Sequence, residues 1–234
     1  MKINRKSFPK QENQKNLVKE SLSTRLFVAG TVPITGRSAV NYSIQLFPDV
    51  ETKKLISYMN KKDYLDLACG INHKYPKSLL CQLNDNKKRH GLDIHGKNEK
   101  TNHIHYYKGD AFKTPFQNNS YDCITINNYM YFWETKAENL LKLFKELHRI
   151  CKKMGEVRIF PVFFGNYSLD NIELYDYLNE HFSIRCLRPQ KDYSNESAMC
   201  VKNDEIIQLP KSSGTVEYRE NHNLMSTCLV IKKL

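Results

Sequence analysis

Two short segments contain the residue types that are best suited to chemistry in this sequence. Residues 65–72 read LDLACGIN, so that a carboxylate, Asp66, precedes a turn of small residues around Gly70. Because glycine has no Cβ and adopts positive φ at little cost, such a turn lets the backbone approach a bound ligand closely. Asp93 follows Gly70 by 23 residues. A carboxylate about 20 residues after such a turn is placed to accept hydrogen bonds from ribose hydroxyls. The spacing therefore predicts a site for a nucleoside ligand.

Two better-known nucleotide-binding motifs do not occur in the sequence. A dinucleotide enzyme needs G-x-G-x-x-G to seat a pyrophosphate, whereas residues 68–73 read ACGINH and contain one glycine of the three. The phosphate-binding motif G-x-x-x-x-G-K-[S/T] is also absent. The sequence therefore favours a nucleoside ligand without a pyrophosphate.

These residues depend for their position on a series of short apolar strands. Strands are predicted at 64–68, 91–94, 104–107, 121–126, 157–162, 182–187 and 227–231. Strands that alternate with helices indicate an α/β fold, an open and mostly parallel sheet covered on both faces. Ligands bind beyond the carboxyl ends of the strands in such sheets. Polar residues at two further strand ends, Asp110 and the pair Asn127 and Asn128, therefore join the predicted site.

Helices are predicted between these strands. One spans 78–83, and another opens near residue 170 with an apolar side through Leu178. The strongest begins at a capping box formed by Thr135 and Glu138, runs through Cys151 at helical spacing and is expected to stop at Gly155.

The chain divides into three predicted regions. Residues 1–20 form a polar N-terminal arm, 21–60 form a helical extension or lid interrupted by Pro33, Gly36 and Pro48, and 61–234 form the main domain. A polar insertion at about 190–223 separates the last two strands. A connection of that length is usually functional or disordered, and we expect it to act as a lid that selects a substrate.

The net charge of the 234-residue chain is +11, from 36 Lys and Arg against 25 Asp and Glu. Lysine and asparagine are abundant throughout, and the densest basic clusters, 2–19 and 87–89, are not interleaved with aromatic residues as nucleic-acid surfaces are. An RNA partner is therefore left open by charge alone.

The remaining composition excludes several classes of protein. The longest runs without a charge have only 11 residues, too short for the ~20 apolar residues of a spanning helix. The polar start is unlike a secretory signal, so a cytoplasmic location is expected.

Seven cysteines without a Cys-x-x-Cys pair argue for reduced, structural thiols. His103 and His105 share a predicted strand face, but no third ligand follows them, and we expect no metal site.

Five segments, taken in order, resemble the motifs of a known family. YLDLACGIN, HGLDIH, YYKGDAFKTPF, NSYDCITINNYMYFWE and ELHRICKKMGEVRIF are similar to those of class I S-adenosylmethionine-dependent methyltransferases, in particular small-molecule, quinone and sterol methyltransferases. The resemblance covers about Tyr64 to Val162. It implies a Rossmann-like sheet of seven strands with the last one antiparallel, S-adenosyl-L-methionine as the cofactor, and a transferase activity of class EC 2.1.1.-.

The resemblance also implies a set of cofactor-binding residues. Those around the first turn would face the methionine part, Asp93 the ribose and Asp110 the adenine amine, while the pair after the fourth strand would lie near the sulfonium. The implied set is Tyr42, Asp66, Ala68, Cys69, Gly70, Asn72, Asp93, Ile94, Asp110, Ala111, Phe112, Asn127 and Asn128. Two members, Ala68 and Asn72, stand where the family usually has glycine, and asparagine is the better suited of the two to left-handed backbone angles.

Three functions remain open from the sequence. The leading interpretation is methyl transfer to a small molecule, with an unidentified catalytic base for which His73, Tyr129 and Glu134 are weak candidates. An RNA methyltransferase is the second, although residues 127–130 read NNYM and lack the prolines of the [D/N/S]-P-P-[Y/F] motif of base-amine methylases. The third is a methyltransferase fold that has lost catalysis and serves as an interaction module, for which Ala68 and Asn72 are the reason.

Overall fold

The computed structural model describes residues 37–70, 72–95, 97–127, 137–162, 172–187 and 227–234, which belong to one unit, Gly36–Leu234. The predicted arm at 1–20 and the predicted insertion at 190–223 lie outside the described residues. Residues 21–36 of the predicted helical extension lie outside them as well. The division of the chain into three regions therefore stays a prediction.

Eight strands form a single sheet in the order β3-β4-β2-β1-β5-β6-β8-β7. The strands are β1 (Tyr64–Leu67), β2 (Arg89–Asp93), β3 (Glu99–Thr101), β4 (Ile104–Lys108), β5 (Tyr121–Asn127), β6 (Cys151–Val162), β7 (Phe182–Leu187) and β8 (Thr227–Lys233). The pairs among β4, β2, β1, β5 and β6 are parallel, whereas β3 and β8 run antiparallel to their neighbours. The predicted α/β class, the mostly parallel sheet and the antiparallel last strand are confirmed.

The edge strand β3 is an addition to the seven predicted strands. It has three residues, none of them buried, so its sequence shows no alternation of apolar and polar positions that would indicate a strand. It pairs with β4 through a tight hairpin in which Asn102 has a φ of 53°. His103 lies in this hairpin rather than on β4, so the prediction that His103 and His105 share a strand face is wrong.

The helices are α1 (Ala39–Gln45), α2 (Leu55–Met59), α3 (Leu79–Gln82), α4 (Ala137–Ile150) and α5 (Ile172–His181), with a 3₁₀ turn at Thr52–Lys54. Ser78 caps α3, because its hydroxyl oxygen accepts from the backbone N–H of Cys81 at 3.2 Å. None of the described helices has the length and apolar character needed to cross a membrane.

The two faces of the sheet carry different cores because side chains alternate along each strand. Leu65 and Leu67 of β1 lie in register with Ile124 and Ile126 of β5, and these four pack with the apolar face of α4. The opposite face carries Tyr64, which packs with α1 and α2. This second face also carries the polar residues of the candidate site.

The junction between α4 and β6 differs from the prediction. The helix ends at Ile150, and β6 begins at once at Cys151, so Cys151 is not helical and Gly155 does not end the helix. Gly155 instead lies at an irregularity where the pairing of β5 with β6 shifts. A Cβ at Gly155 would lie 2.8 Å from Cys151 Sγ, so the glycine permits a close approach inside the strand. Its signal in the sequence resembles that of a helix stop.

Candidate functional site

The turn after β1 contains two residues in the left-handed region. Ala68 has a φ of 56° and Gly70 a φ of 55°. The turn is tied to its neighbours because the backbone N–H of Cys69 donates to Leu92 O at 3.3 Å, and that of Asn72 donates to Cys69 O at 3.1 Å. Left-handed backbone is ordinary for glycine but costs an L-residue such as alanine about 1–2 kcal/mol. Ala68 therefore has backbone angles that a glycine would adopt at a lower cost in free energy.

Asp66 is the buried centre of a hydrogen-bond network below this turn. The Tyr42 hydroxyl donates to both carboxylate oxygens at 2.7 and 2.8 Å, the Asn72 amide donates to Oδ2 at 2.8 Å, and the Thr125 hydroxyl donates to Oδ1 at 2.9 Å. The Asn72 amide also donates to the Tyr42 hydroxyl at 2.8 Å. Burial raises the pKa of Asp66 to about 6, although these hydrogen bonds oppose the shift. Tyr42 lies on α1 and is itself fully buried.

Asp93 joins the end of β2 to the turn after β1. Its Oδ2 accepts from the backbone N–H of Gly70 at 2.9 Å, and its Oδ1 accepts from that of His95 at 3.0 Å. The two segments that the sequence singled out, 23 residues apart, therefore meet through one carboxylate. The next residue, Ile94, is 61% exposed.

The end of β4 forms a third corner of the site. The backbone N–H of Gly109 donates to Asp93 O at 2.9 Å, which places the following turn beside β2. Asp110 is exposed, and its Oδ1 accepts from the backbone N–H of Phe112 at 2.9 Å. Ala111 is buried in the core, and Phe112 packs against it. Asp110 thus shapes its own turn and keeps one side open to solvent.

Asn127, at the end of β5, is buried and faces α1. Its side-chain amide donates to Gln45 Oε1 at 3.1 Å. The predicted residues Asn128, Tyr129 and Glu134 lie outside the described residues. The strands β4, β2, β1 and β5 are neighbours in the sheet. Each has a predicted polar residue at or near its carboxyl end, as expected from the sequence: Asp110, Asp93, Asp66 and Asn127.

His73 is buried and directed toward the edge of the sheet. Its Nε2 lies 2.5 Å from Glu99 Oε1 on β3, and its ring lies over that of Tyr106 at a centroid distance of 4.0 Å. Within the described part of the chain its Nδ1 has no hydrogen-bond partner. This placement couples His73 to β3 and β4 rather than to β5.

Two partners of the site were not identified from the sequence. Thr125 and Gln45 contact Asp66 and Asn127 from positions 59 and 82 residues away. No local pattern marks them, because Thr125 lies within a β-branched strand and Gln45 in a short helix.

The arrangement suits a ligand that is rich in hydrogen-bond donors. Carboxylates lie near the ends of three adjacent strands. Those of Asp93 and Asp110 can accept hydrogen bonds from the hydroxyl and amine groups of a ligand, whereas that of Asp66 is buried and supports the turn. The exposed Ile94 beside Asp93 offers an apolar surface for a flat ring. These groups together match the sugar and the base of a nucleoside.

Comparison with known proteins gives one family match. Residues 65–159 match a family model that is described as a methyltransferase domain. No curated protein matches the chain.

Solved structures to which this chain is similar include the N-methyltransferase NodS from Bradyrhizobium japonicum WM9, in complex with S-adenosyl-L-homocysteine. It is 10% identical, 98% of this chain and 90% of that chain are covered, and the TM-score is 0.41. A proposed S-adenosylmethionine-dependent methyltransferase from Listeria monocytogenes is 11% identical, with coverage of 75% and 92% and a TM-score of 0.46. A proposed rRNA methylase from Clostridium thermocellum is 11% identical, with coverage of 86% and 100% and a TM-score of 0.42. At these values the structures carry no argument about the substrate.

Proposed function

We propose that this chain is a class I S-adenosylmethionine-dependent methyltransferase that acts on a small-molecule acceptor, since residues 65–159 match a family model described as a methyltransferase domain. The observation that carries the proposal is the junction of Gly70 with Asp93, which sets a ligand-binding turn beside a carboxylate.

The residues of the site fit the cofactor. Each oxygen of the Asp93 carboxylate accepts one backbone N–H and has further lone pairs for ribose hydroxyls. The exposed Ile94 side chain would pack against the adenine, and covering it would remove apolar surface from water. The open side of Asp110 would accept from the adenine amine.

The methionine part of the cofactor would lie over the turn at 68–72. Asp66 supports that turn from below, since Asn72 and Tyr42 both bond to its carboxylate. A carboxylate that is buried at a cost in free energy, as its raised pKa indicates, is typical of a functional site. We assign to Asp66 and Tyr42 the role of positioning residues.

When bound, the cofactor supplies a methyl group on a sulfonium, which is already a good leaving group. The chain's own contribution is therefore alignment of the acceptor, and such positioning can supply roughly 7–11 kcal/mol of a reaction barrier. Asn127, at the end of β5, would form the floor for the acceptor.

The preference for a small acceptor rests on the segment that covers this floor. The α1 helix is held against the ends of β1 and β5 by the contacts of Tyr42 with Asp66 and of Gln45 with Asn127. The same segment is held to β6 by Arg158, which donates to Leu46 O at 2.8 Å and to Asp49 Oδ1 at 2.6 Å. A floor covered in this way favours an acceptor small enough to enter from the side.

The test is a transfer assay with S-adenosylmethionine labelled in its methyl group, using cell extract separated into small-molecule and RNA fractions. We expect label in the small-molecule fraction, and expect Asp93→Ala to abolish it. Label in the RNA fraction alone would overturn the assignment of the acceptor. If the protein binds the cofactor and labels neither fraction, the proposed transfer to a small molecule is wrong.

A further inference from the structure

A second concave site lies at the opposite edge of the sheet from the candidate cofactor site. This basic cavity has a volume of about 570 Å³. It lies where β1, β2 and β4 begin, whereas the cofactor turn lies where they end, so the two are separated by about 15 Å, the length of a five-residue strand. Its lining includes Asp63, Lys87, Lys88, Lys100, His103 and His105.

The wall of the basic cavity is fixed by Arg89, which is 1% exposed. Its guanidinium donates to the carbonyl oxygens of Asn60, Lys62, Asn84 and Lys88 at 2.5–3.2 Å and to the side-chain oxygen of Asn84 at 3.4 Å. These bonds tie the loop at 84–88 to the loop before β1. Among the described residues no carboxylate forms an ion pair with Arg89, so a buried positive charge lies behind the cavity without a paired anion.

Three exposed lysines add positive charge at the mouth of the basic cavity: Lys87, Lys88 and Lys100. Of the two carboxylates in the lining, Asp63 is already paired, because Lys152 Nζ lies 2.6 Å from its Oδ2. Asp85 is exposed and leaves the balance of the lining positive.

Three histidines, His90, His103 and His105, add polar groups to the lining of the basic cavity. His90, Lys100 and His105 lie in register on one face of β2, β3 and β4. Burial, with His105 and Lys88 nearby, lowers the pKa of His90 to about 4, so His90 is neutral near pH 7. The Nε2 atom of His103 is buried and has no hydrogen-bond partner within the described part of the chain. A buried polar atom of this kind is usually matched by a ligand or water.

We propose that the basic cavity binds a small phosphate-bearing anion. Three lysines from two segments, the loop before β2 and the strand β3, line one concavity, and they suit a phosphate, which accepts many charge-assisted hydrogen bonds at once. The volume is within the range of about 300–1,000 Å³ found for small-molecule sites. The exposed Asp85 at the opening disfavours a polyanion that runs along the surface. This site goes beyond the proposed methyl transfer and does not depend on it.

The test uses inorganic pyrophosphate as the probe and isothermal calorimetry on the full chain. We expect the wild type to bind pyrophosphate with a dissociation constant below about 10 mM. The variant K87Q/K88Q/K100Q should bind at least about tenfold more weakly, because three charged contacts are lost. Binding of S-adenosylhomocysteine should be unchanged in this variant, which shows that it is folded and separates this proposal from the proposed function.

The matched control removes the same charge elsewhere. K53Q/K142Q/K153Q changes three exposed lysines outside the cavity and should keep wild-type affinity for pyrophosphate. Equal weakening in both triple variants, or no binding by the wild type, would overturn the proposal. A twelve-nucleotide single-stranded RNA is the second arm, and RNA that binds where pyrophosphate does not would show that the occupant is a nucleic acid and not a small anion.

Discussion

Replacing Ala68 with glycine should stabilise the protein, although alanine-to-glycine changes normally destabilise. Ala68 has a φ of 56°, a conformation that costs an L-residue about 1–2 kcal/mol and costs glycine almost nothing. Two effects oppose this gain. Glycine has more freedom in the unfolded chain, which lowers the free energy of unfolding by about 0.5–1 kcal/mol. The loss of a half-buried methyl group lowers it by about 0.4 kcal/mol. The free energy of unfolding should therefore rise by about 0.5 kcal/mol.

The control is Ala39→Gly in α1, where the alanine is also largely buried but has no positive φ. That change should lower the free energy of unfolding by about 1.5 kcal/mol, from the buried methyl group and the backbone entropy of glycine. The two variants should differ by about 2 kcal/mol, which for a chain of this size is about 4–8 °C in Tm.

Urea denaturation of the three proteins, without ligand, measures this difference. If Ala68→Gly is as destabilising as Ala39→Gly, the turn does not hold Ala68 in the left-handed region and the reasoning is refuted. If the prediction holds, the departure from the family's glycine costs stability and leaves the shape of the turn intact.

Two further predictions concern buried charges. The pKa of Asp66 in the folded protein, about 6, is above its value in the unfolded chain. The folded protein therefore binds this proton more tightly than the unfolded chain does. The resulting stabilisation is fully present below about pH 4 and is lost as the pH rises through 6. The free energy of unfolding of the wild type should fall by about 2.5 kcal/mol relative to Asp66→Asn between pH 4 and pH 7, and parallel urea profiles of the two proteins would contradict this. Arg158→Met should destabilise by about 3–5 kcal/mol, because it leaves the carboxylates of Asp49 and Glu156 without their buried partner. The control Arg185→Met removes a half-exposed pair with Asp49 at 3.4 Å and should cost about 1 kcal/mol or less, so equal losses of Tm would refute the assigned role of Arg158.

The position of most strands along the chain and the strand ends that carry the site were predictable from local patterns. Apolar runs fixed β1, β5 and β7 to within a residue, since a buried strand needs apolar or β-branched residues along its length. Spacing also brought Asp93 to the turn at Gly70, because consecutive parallel strands end at the same edge.

Other features depend on contacts between distant residues and had no local signal. The network of Asp66 with Tyr42 and Thr125 joins positions 24 and 59 residues apart. The basic cavity likewise gathers lysines with imidazoles from neighbouring strands, an interleaving that the linear sequence does not contain. Gly155 misled the prediction because a glycine that permits close packing within a strand looks the same in sequence as one that ends a helix.

The central claim is that this site binds S-adenosylmethionine, with the turn at Gly70 holding its methionine part and the carboxylate of Asp93 its ribose. The most direct test is the shift in Tm caused by S-adenosylmethionine and by S-adenosylhomocysteine for the wild type, Asp93→Ala and a control, Asp176→Ala, which changes an exposed residue on α5. At 100 times its dissociation constant the ligand adds about 2.7 kcal/mol, which is roughly 5–11 °C at this size. The account predicts that shift in the wild type and the control, and its loss in an Asp93→Ala protein that still unfolds cooperatively. An equal shift in Asp93→Ala, or no shift in the wild type with either ligand at millimolar concentration, would contradict it.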